Sequence, residues 1–482
     1  MKPFFSLFFL VCGFSLQAQN DLVVHEWGTF TTLSCSNGKQ YKEPLHSKEK
    51  LPDFVYNQRY KFEYFDTKNE VWRNSFANMF DANMGMETPV LYFYSTNAVN
   101  FELSVEFNNG TISQFYPNPT KTESFISPTV NFQLDGHTGY ATWRGFVHPK
   151  ASTVQPTYPD EEVNAIWRHP REVAANIVDV NGKREKYLFY RGLGHYDCPI
   201  TVENALNGDV KITNTMNEML PFYICTELID GVVQVHAYGS LLKGTCNSFN
   251  RSEKLNVDAK ELMTKALISQ GLYEDEARAM IATWDESYFR STGMKVFWIV
   301  PNSIIDQLLP LNINPQPKEV KRAFFGRIEV MEADFELYVK GLFSSSYDLF
   351  SYEKNKYRDD PYKIQRIDIA QHYVKNLEIS KELYSCDDKL SIEDKLLFEF
   401  KLFPNPTKGD MRINANFDLN LVTELYVANQ LGKVVFEKTL TQEEIDSQQA
   451  LLLLADLPAG MYIVYLQVGE AILAEKLILQ NQ

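Results

Sequence analysis

The chain has 482 residues, a formal net charge of −15 and an apolar share of 44%, with 33 Phe and 26 Tyr. That length suits about two to four domains with sizeable cores. The acidic balance argues against a nucleic-acid or anionic-membrane partner, because phosphate binding needs clustered Lys and Arg.

The first residues follow the pattern of a leader. Lys2 precedes an apolar stretch at residues 4–14, and the small Ala18 closes it. Residues 1–18 are predicted to be a signal peptide cleaved after Ala18. No later run of about eighteen apolar residues occurs, so no transmembrane segment is expected. Cys12 falls in the leader. The remaining five cysteines, Cys35, Cys198, Cys225, Cys246 and Cys386, contain no C-x-x-C pair, which argues against a zinc ribbon or a thioredoxin-type site. An exported compartment permits disulfides. An odd count leaves at least one thiol unpaired in a monomer. Cys198, Cys225 and Cys246 are close enough in sequence to pair.

Residues 19–250 read as a β-rich body. Asn109-Gly110, Asn181-Gly182, Asn207-Gly208 and Asp230-Gly231 each stand between runs of strand-forming residues. These dipeptides supply the positive φ of tight hairpins, and their density suggests one or two antiparallel sandwiches. Residues 251–384 form a mixed helical and strand part of the body. A helix should start at Asp258 and stop at Gly271. A second should start at Glu274-Asp275-Glu276, where acids suit a helix N-terminus. Strands are predicted at 294–300 and 324–331, with helix from about 332 to 340 and from about 361 to 383. Residues 385–400 read as a linker.

Residues 401–482 carry the most specific pattern. Leu402-Phe403-Pro404-Asn405-Pro406-Thr407-Lys408-Gly409 opens the segment, Leu457-Pro458-Ala459-Gly460-Met461-Tyr462 follows late, and Lys476-Leu477-Ile478 lies in the last strand. Short alternating strands lie between them. P-N-P-[ST]-x-G, L-x-x-G-x-Y and a terminal K-x-[ILV] resemble the type A sorting domain of the type IX (Por) secretion system of Bacteroidetes. The resemblance implies recognition at the outer membrane by that machinery, through Pro404, Asn405, Pro406, Gly409, Gly460, Tyr462 and Lys476. It also implies delivery, after periplasmic transit, to the outer cell surface or the medium. A mid-chain Tyr116-Pro117-Asn118-Pro119-Thr120 lacks the glycine and the G-x-Y partner and reads as a turn. The expected fold class is therefore α+β: predominantly antiparallel β in the N-terminal body, a helical segment after it, and a C-terminal Ig-like β-sandwich.

The body is similar to an uncharacterised secreted bacterial family over roughly residues 22–335. The matching phrases are H-E-W-G-T-F-T from His25, E-T-P-V-L-Y-F-Y from Glu87, Y-L-F-Y-R-G from Tyr187 and E-A-R-A-M from Glu276. This resemblance implies a boundary and no chemistry.

Candidate metal or acid–base residues are His25, Glu26, His137, His148, His195 and Asp197, with His169, Glu203 and His236 as further members. Histidine and carboxylate side chains build metal sites and proton relays, and most of these lie at strand ends or turns. No H-E-x-x-H, G-x-S-x-G or P-loop occurs. Dispersed histidines fit hydrogen-bonded structural roles. The sharper alternative joins His25 to one or two of His137, His148 and His195 around a metal. Trp27, Trp143, Trp167, Trp284 and Trp298 fit core packing better than a sugar-stacking platform. No cofactor is assigned. The leading reading is an exported β-rich binding module; the alternative is a metal-dependent extracellular hydrolase.

Overall fold

A computed structural model describes residues 21–42, 54–57, 63–66, 71–74, 82–123, 134–157, 165–345, 352, 354–357, 360–384, 386, 400–415, 419, 422–430, 433–447, 449–468 and 471–480. The predicted leader and most of the predicted linker lie outside them.

The body is organised by one 15-stranded sheet. Its middle runs Leu188–Gly194, Met84–Tyr94, Val23–Ser34, Glu319–Val330, Met294–Val300, Leu220–Ile229. Neighbours pair antiparallel, except that Val23–Ser34 runs parallel to Glu319–Val330 over twelve residues. The sheet therefore crosses the expected division at residue 250, because strands from the mixed part lie at its centre. The first strand is buried along nearly all of its length, which fits a strand sandwiched on both faces.

Two cores form, one on each face. Val24 and Phe30 point into one, with Leu91, Trp143, Val296 and Phe324. Trp27 points into the other, with Tyr92, Phe189, Met263, Met280 and Trp284. Successive side chains on a strand alternate faces, so one strand serves both. The second face is covered by helices Ala259–Ser269 and Glu274–Thr283. The Asp258 carboxylate accepts from the Lys260 and Glu261 amides, and Gly271 has φ +102°, matching the predicted helix limits. All five tryptophans considered for a sugar platform are core residues, each at most 1% exposed.

Two of the expected hairpins form between the expected strands. Ile200–Asn204 pairs with Asp209–Asn214, and Leu220–Ile229 with Val232–Leu241. Asn181-Gly182 closes a shorter hairpin, Val178–Val180 with Lys183–Glu185, and the Leu188–Gly194 strand pairs elsewhere. Asn109-Gly110 does not close the expected hairpin. Asn109 has φ 54°, but Val99–Asn108 pairs with Thr138–Val147 while Gly110–Tyr116 pairs with Leu188–Gly194. The dipeptide turns a corner between two pairings. A Cβ on Gly110 would lie 2.6 Å from the Phe107 ring, so the corner needs glycine for clearance.

The body closes at a disulfide. Cys246 bonds Cys386, leaving Cys35, Cys198 and Cys225 as free thiols. The expected neighbours Cys198 and Cys225 do not pair with Cys246. Residues 380–384 and Cys386 instead run beside the Ile200–Asn204, Asp209–Asn214 and Cys246–Asn250 sheet, through Leu206 N to Ser380 O and Cys386 N to Ser248 Oγ.

The C-terminal segment forms two sheets, Phe400–Phe403, Asp410–Ala415, Ala450–Leu453 and Val434–Lys438, Val422–Asn429, Gly460–Val468, Ala471–Leu479. Leu402, Met411, Ile413, Val427, Leu452, Val464 and Leu477 make one core between them. Among the described residues no strand of this segment pairs with a strand of the body.

Candidate functional site

The candidate histidines go to different partners. His25 is buried on the first strand, where its Nδ1 lies 2.8 Å from Glu276 Oε2. Tyr94 Oη donates to the other Glu276 oxygen at 2.6 Å, and the Tyr273 amide donates to Oε2 at 2.7 Å. The rings of Tyr94 and Tyr273 pack on the imidazole. Glu26 projects to the opposite face. It accepts from Tyr190 Oη at 2.5 Å and from Arg322 Nε at 2.7 Å.

His137 and His195 meet at the Asn109 corner through the backbone. Asn109 N donates to His137 O, and His195 N donates to Asn109 O, both at 2.7 Å. The His137 ring is 2.9 Å from Glu123, whose other oxygen accepts from Thr111 Oγ1 and the Ile112 amide. His148 packs edge-on to Phe146 beside the Thr138–Val147 strand. Asp197 is exposed. His169 contacts Glu172 on its own helix, Glu203 pairs with Lys211, and His236 lies between Glu227 and the Glu253 carbonyl. Among the described residues, no group of three or more His, Cys, Asp and Glu side chains is arranged to hold a metal ion.

The phrases that carry the body's resemblance occupy adjoining elements. H-E-W-G-T-F-T, E-T-P-V-L-Y-F-Y and Y-L-F-Y-R-G lie on three neighbouring strands. His25 of the first reaches Glu276 of E-A-R-A-M, and Glu26 reaches Tyr190 of the third.

A denser charged cluster was not among the sequence candidates. Glu87, Arg327, Glu329, Arg366, Glu332 and Lys295 are all buried. Arg327 donates to Glu329 at 2.6 Å and to Glu87 at 3.2 Å, and Arg366 pairs with Glu332. Lys295 Nζ donates to the Ser291 carbonyl at 2.8 Å. Burial pushes the Lys295 ammonium down to about 8, against the pull of Glu329. Burial works against the Glu329 charge, but Lys295, Arg327 and Arg366 outweigh it and hold the carboxyl below its usual range. The signal for these residues is an ionisable side chain set inside an apolar strand, as Lys295 is in M-K-V-F-W-I-V.

A cavity of about 340 Å³ opens at the edge of this cluster, lined by Glu227, Arg251, Phe335, Tyr357, Lys363 and Arg366 among others. Arg251 grips both oxygens of Glu227. Burial opposes the Glu227 charge, but Arg251 and His236 draw its carboxyl down to about 2. Lys363 Nζ stands 3.8 Å over the Tyr357 ring. Charged forks beside aromatic faces suit recognition of a polar ligand.

The lowered Lys295 value has a consequence for stability. Below pH 8 the ammonium is charged in both folded and unfolded chains. Between about 8 and the usual 10.5, the unfolded chain holds a proton that the folded one lacks, so stability rises with pH. From pH 8 to 10 the wild type should gain on the order of 2 kcal/mol relative to Lys295→Met. Urea unfolding across that range measures it, and a constant difference between the two proteins would contradict it.

The tail brings its own motif residues together. Asn405 Nδ2 donates to Lys476 O at 2.5 Å, and Asn405 Oδ1 accepts from the Ile478 amide at 3.0 Å. The Thr407 amide donates to Ile478 O, and the Gln480 amide to Thr407 O. The P-N-P-T loop thus clasps the last strand, joining motif pieces some seventy residues apart. Thr407 Oγ1 donates to Asp410 O at 2.7 Å. Gly409 has φ +155°, and a Cβ there would come within 2.9 Å of Ala455 Cα, so the position requires glycine. Tyr462 Oη donates to Pro458 O at 2.7 Å, closing the L-P-A-G-M-Y turn.

Among the described residues no helix is long and apolar enough to cross a membrane. Comparison with curated proteins finds no match. Residues 401–480 match the family model of the secretion system C-terminal sorting domain. The C-terminal segment is thus a type IX sorting domain, and by it the chain is directed out of the cell through the type IX secretion machinery.

Proposed function

We propose that the chain is made with a cleaved leader of residues 1–18, crosses the periplasm, and is delivered by an Ig-like tail to the outer surface or beyond. There its body, residues 19–384, serves as a binding module joined to the tail through a linker at 385–400, which Cys386 fastens to the body near its start. The observation that supports the binding reading is the cavity between Arg251, Tyr357, Lys363 and Arg366, where paired charges and aromatic faces border one space. The alternative metal-dependent hydrolase draws its support from the histidines. His25, His137 and His236 each have a carboxylate as a local partner, on three different parts of the fold.

Elemental analysis of the purified protein, with His25→Ala alongside, separates the two readings. The binding reading expects no stoichiometric zinc or manganese and no hydrolysis that depends on His25. It also expects ligand capture that falls about tenfold or more in Tyr357→Ala, the half-buried ring under Lys363, because truncating an aromatic that serves as a binding hot spot costs about 2 kcal/mol or more. One equivalent of metal, lost in His25→Ala together with a hydrolytic activity, would replace it with the hydrolase.

A further inference from the structure

The tail's two sheets present different outer faces. On the four-stranded sheet, Tyr426 and Tyr465 are cross-strand partners with rings stacked at 5.1 Å. Tyr465 and Ala428 pack with Leu242 of the body, and Met219, Tyr426 and Ile463 border the contact. Tyr465 also bonds the Ser240 side chain. This face is occupied by the body.

The three-stranded sheet faces the other way, with apolar residues outside. Phe403 is 68% exposed, Leu453 60% and Leu451 39%. Register places Phe403 opposite Arg412, Arg412 opposite Leu451, and Asp410 opposite Leu453, so these side chains share one face. Single exposed apolar residues are ordinary, but three in register mark a contact surface. The face continues directly into the exposed Pro404, Asn405 and Pro406 of the sorting motif.

We propose that the type IX machinery grips the tail by this Phe403–Leu451–Leu453 face, an inference that rests on the tail being the export address. The body covers the tyrosine face, which leaves the opposite face for the receptor. Lys401 and Arg412 are exposed on it with Asp410, while at the Leu451 edge Glu444 is already paired with Lys438. Register sets Arg412 on the middle strand between Phe403 and Leu451, so the partner surface that fits carries a carboxylate near its centre for Arg412, with apolar ground on either side for Phe403 and for Leu451 and Leu453, on an outer-membrane component of the secretion system.

The test is export of the full chain in a host with an active type IX system. Four forms are compared with wild type: Phe403→Ser/Leu453→Ser, Arg412→Glu, Tyr426→Ser, and a chain ending at residue 400. Thermal melting of the purified chains checks folding, and the charge reversal keeps the apolar packing should the double variant melt early. The double variant and Arg412→Glu should each lower export at least tenfold, with Tyr426→Ser close to wild type. A photo-crosslinker at position 453 should join the tail to an outer-membrane component of the system. Normal export of the folded double variant and of Arg412→Glu, with the shortened chain retained, would overturn the face and leave the address standing. A crosslink between two copies of the chain would overturn it in favour of self-association. Release of the shortened chain would remove both the face and the address.

Discussion

Replacing Arg322 by Met is expected to destabilise the body by about 3–5 kcal/mol, the usual loss when one partner of a buried ion pair is removed. Arg322 is 5% exposed in its side chain and Glu26 fully buried. Its Nε donates to Glu26 at 2.7 Å, Nη2 stands 2.6 Å from the same carboxylate, and Nη1 donates to Asp306 and to the Leu309 carbonyl, each at 2.8 Å. Without the guanidinium, Glu26 keeps the Tyr190 hydroxyl as its side-chain partner among the described residues. It then faces the desolvation cost of a buried charge or takes up a proton. Adding Glu26→Gln should recover a large part of the loss, because the orphaned charge is gone. Urea unfolding of the two variants measures both steps. A loss under about 1 kcal/mol for Arg322→Met would show that the pair is solvated or dispensable.

This pair shows why much of the candidate site could not be read from the sequence. His25 and Glu26 are adjacent in a phrase that invites a catalytic reading. Period-2 alternation sends them to opposite faces, where their partners Glu276 and Arg322 come from residues about 250 and 300 positions away. Side-chain type and spacing show the alternation but not the distant partner. The ionic cluster around Lys295 was hidden for the same reason, since its members meet only when Met294–Val300 pairs with Glu319–Val330 and Glu87 lies across from Arg327. Local punctuation was more legible. Asp258 and Gly271 bound their helix, and Asp230-Gly231 closes its hairpin, because capping and positive φ act within a few residues. Asn109-Gly110 marks the limit: its backbone geometry was legible, but the strand each side pairs with was set by non-local packing.

The tail was legible because its motifs are its joints. P-N-P-T-x-G and K-x-I read as separate pieces in the sequence and become one clasp, through Asn405 and Thr407 on the last strand. The strands Phe400–Phe403 and Ala450–Leu453 are less legible, because no turn dipeptide within them marks their bounds.

Removing residues 401–482 is expected to leave a folded body that no longer leaves the cell. The tail has a separate core and shares no strand with the body among the described residues, and Cys246–Cys386 closes the body before the tail begins. Truncation uncovers the small apolar patch around Leu242 and Met219 on the body, so melting of the shortened chain should change little.

Fractionation of cells producing the whole chain or the chain ending at residue 400 tests the separation of address from cargo most directly. The whole chain should be found at the surface or in the medium. The shortened one should collect inside the outer membrane, with the melting behaviour of the intact body. Equal release of both, or a shortened chain that cannot fold, would contradict it.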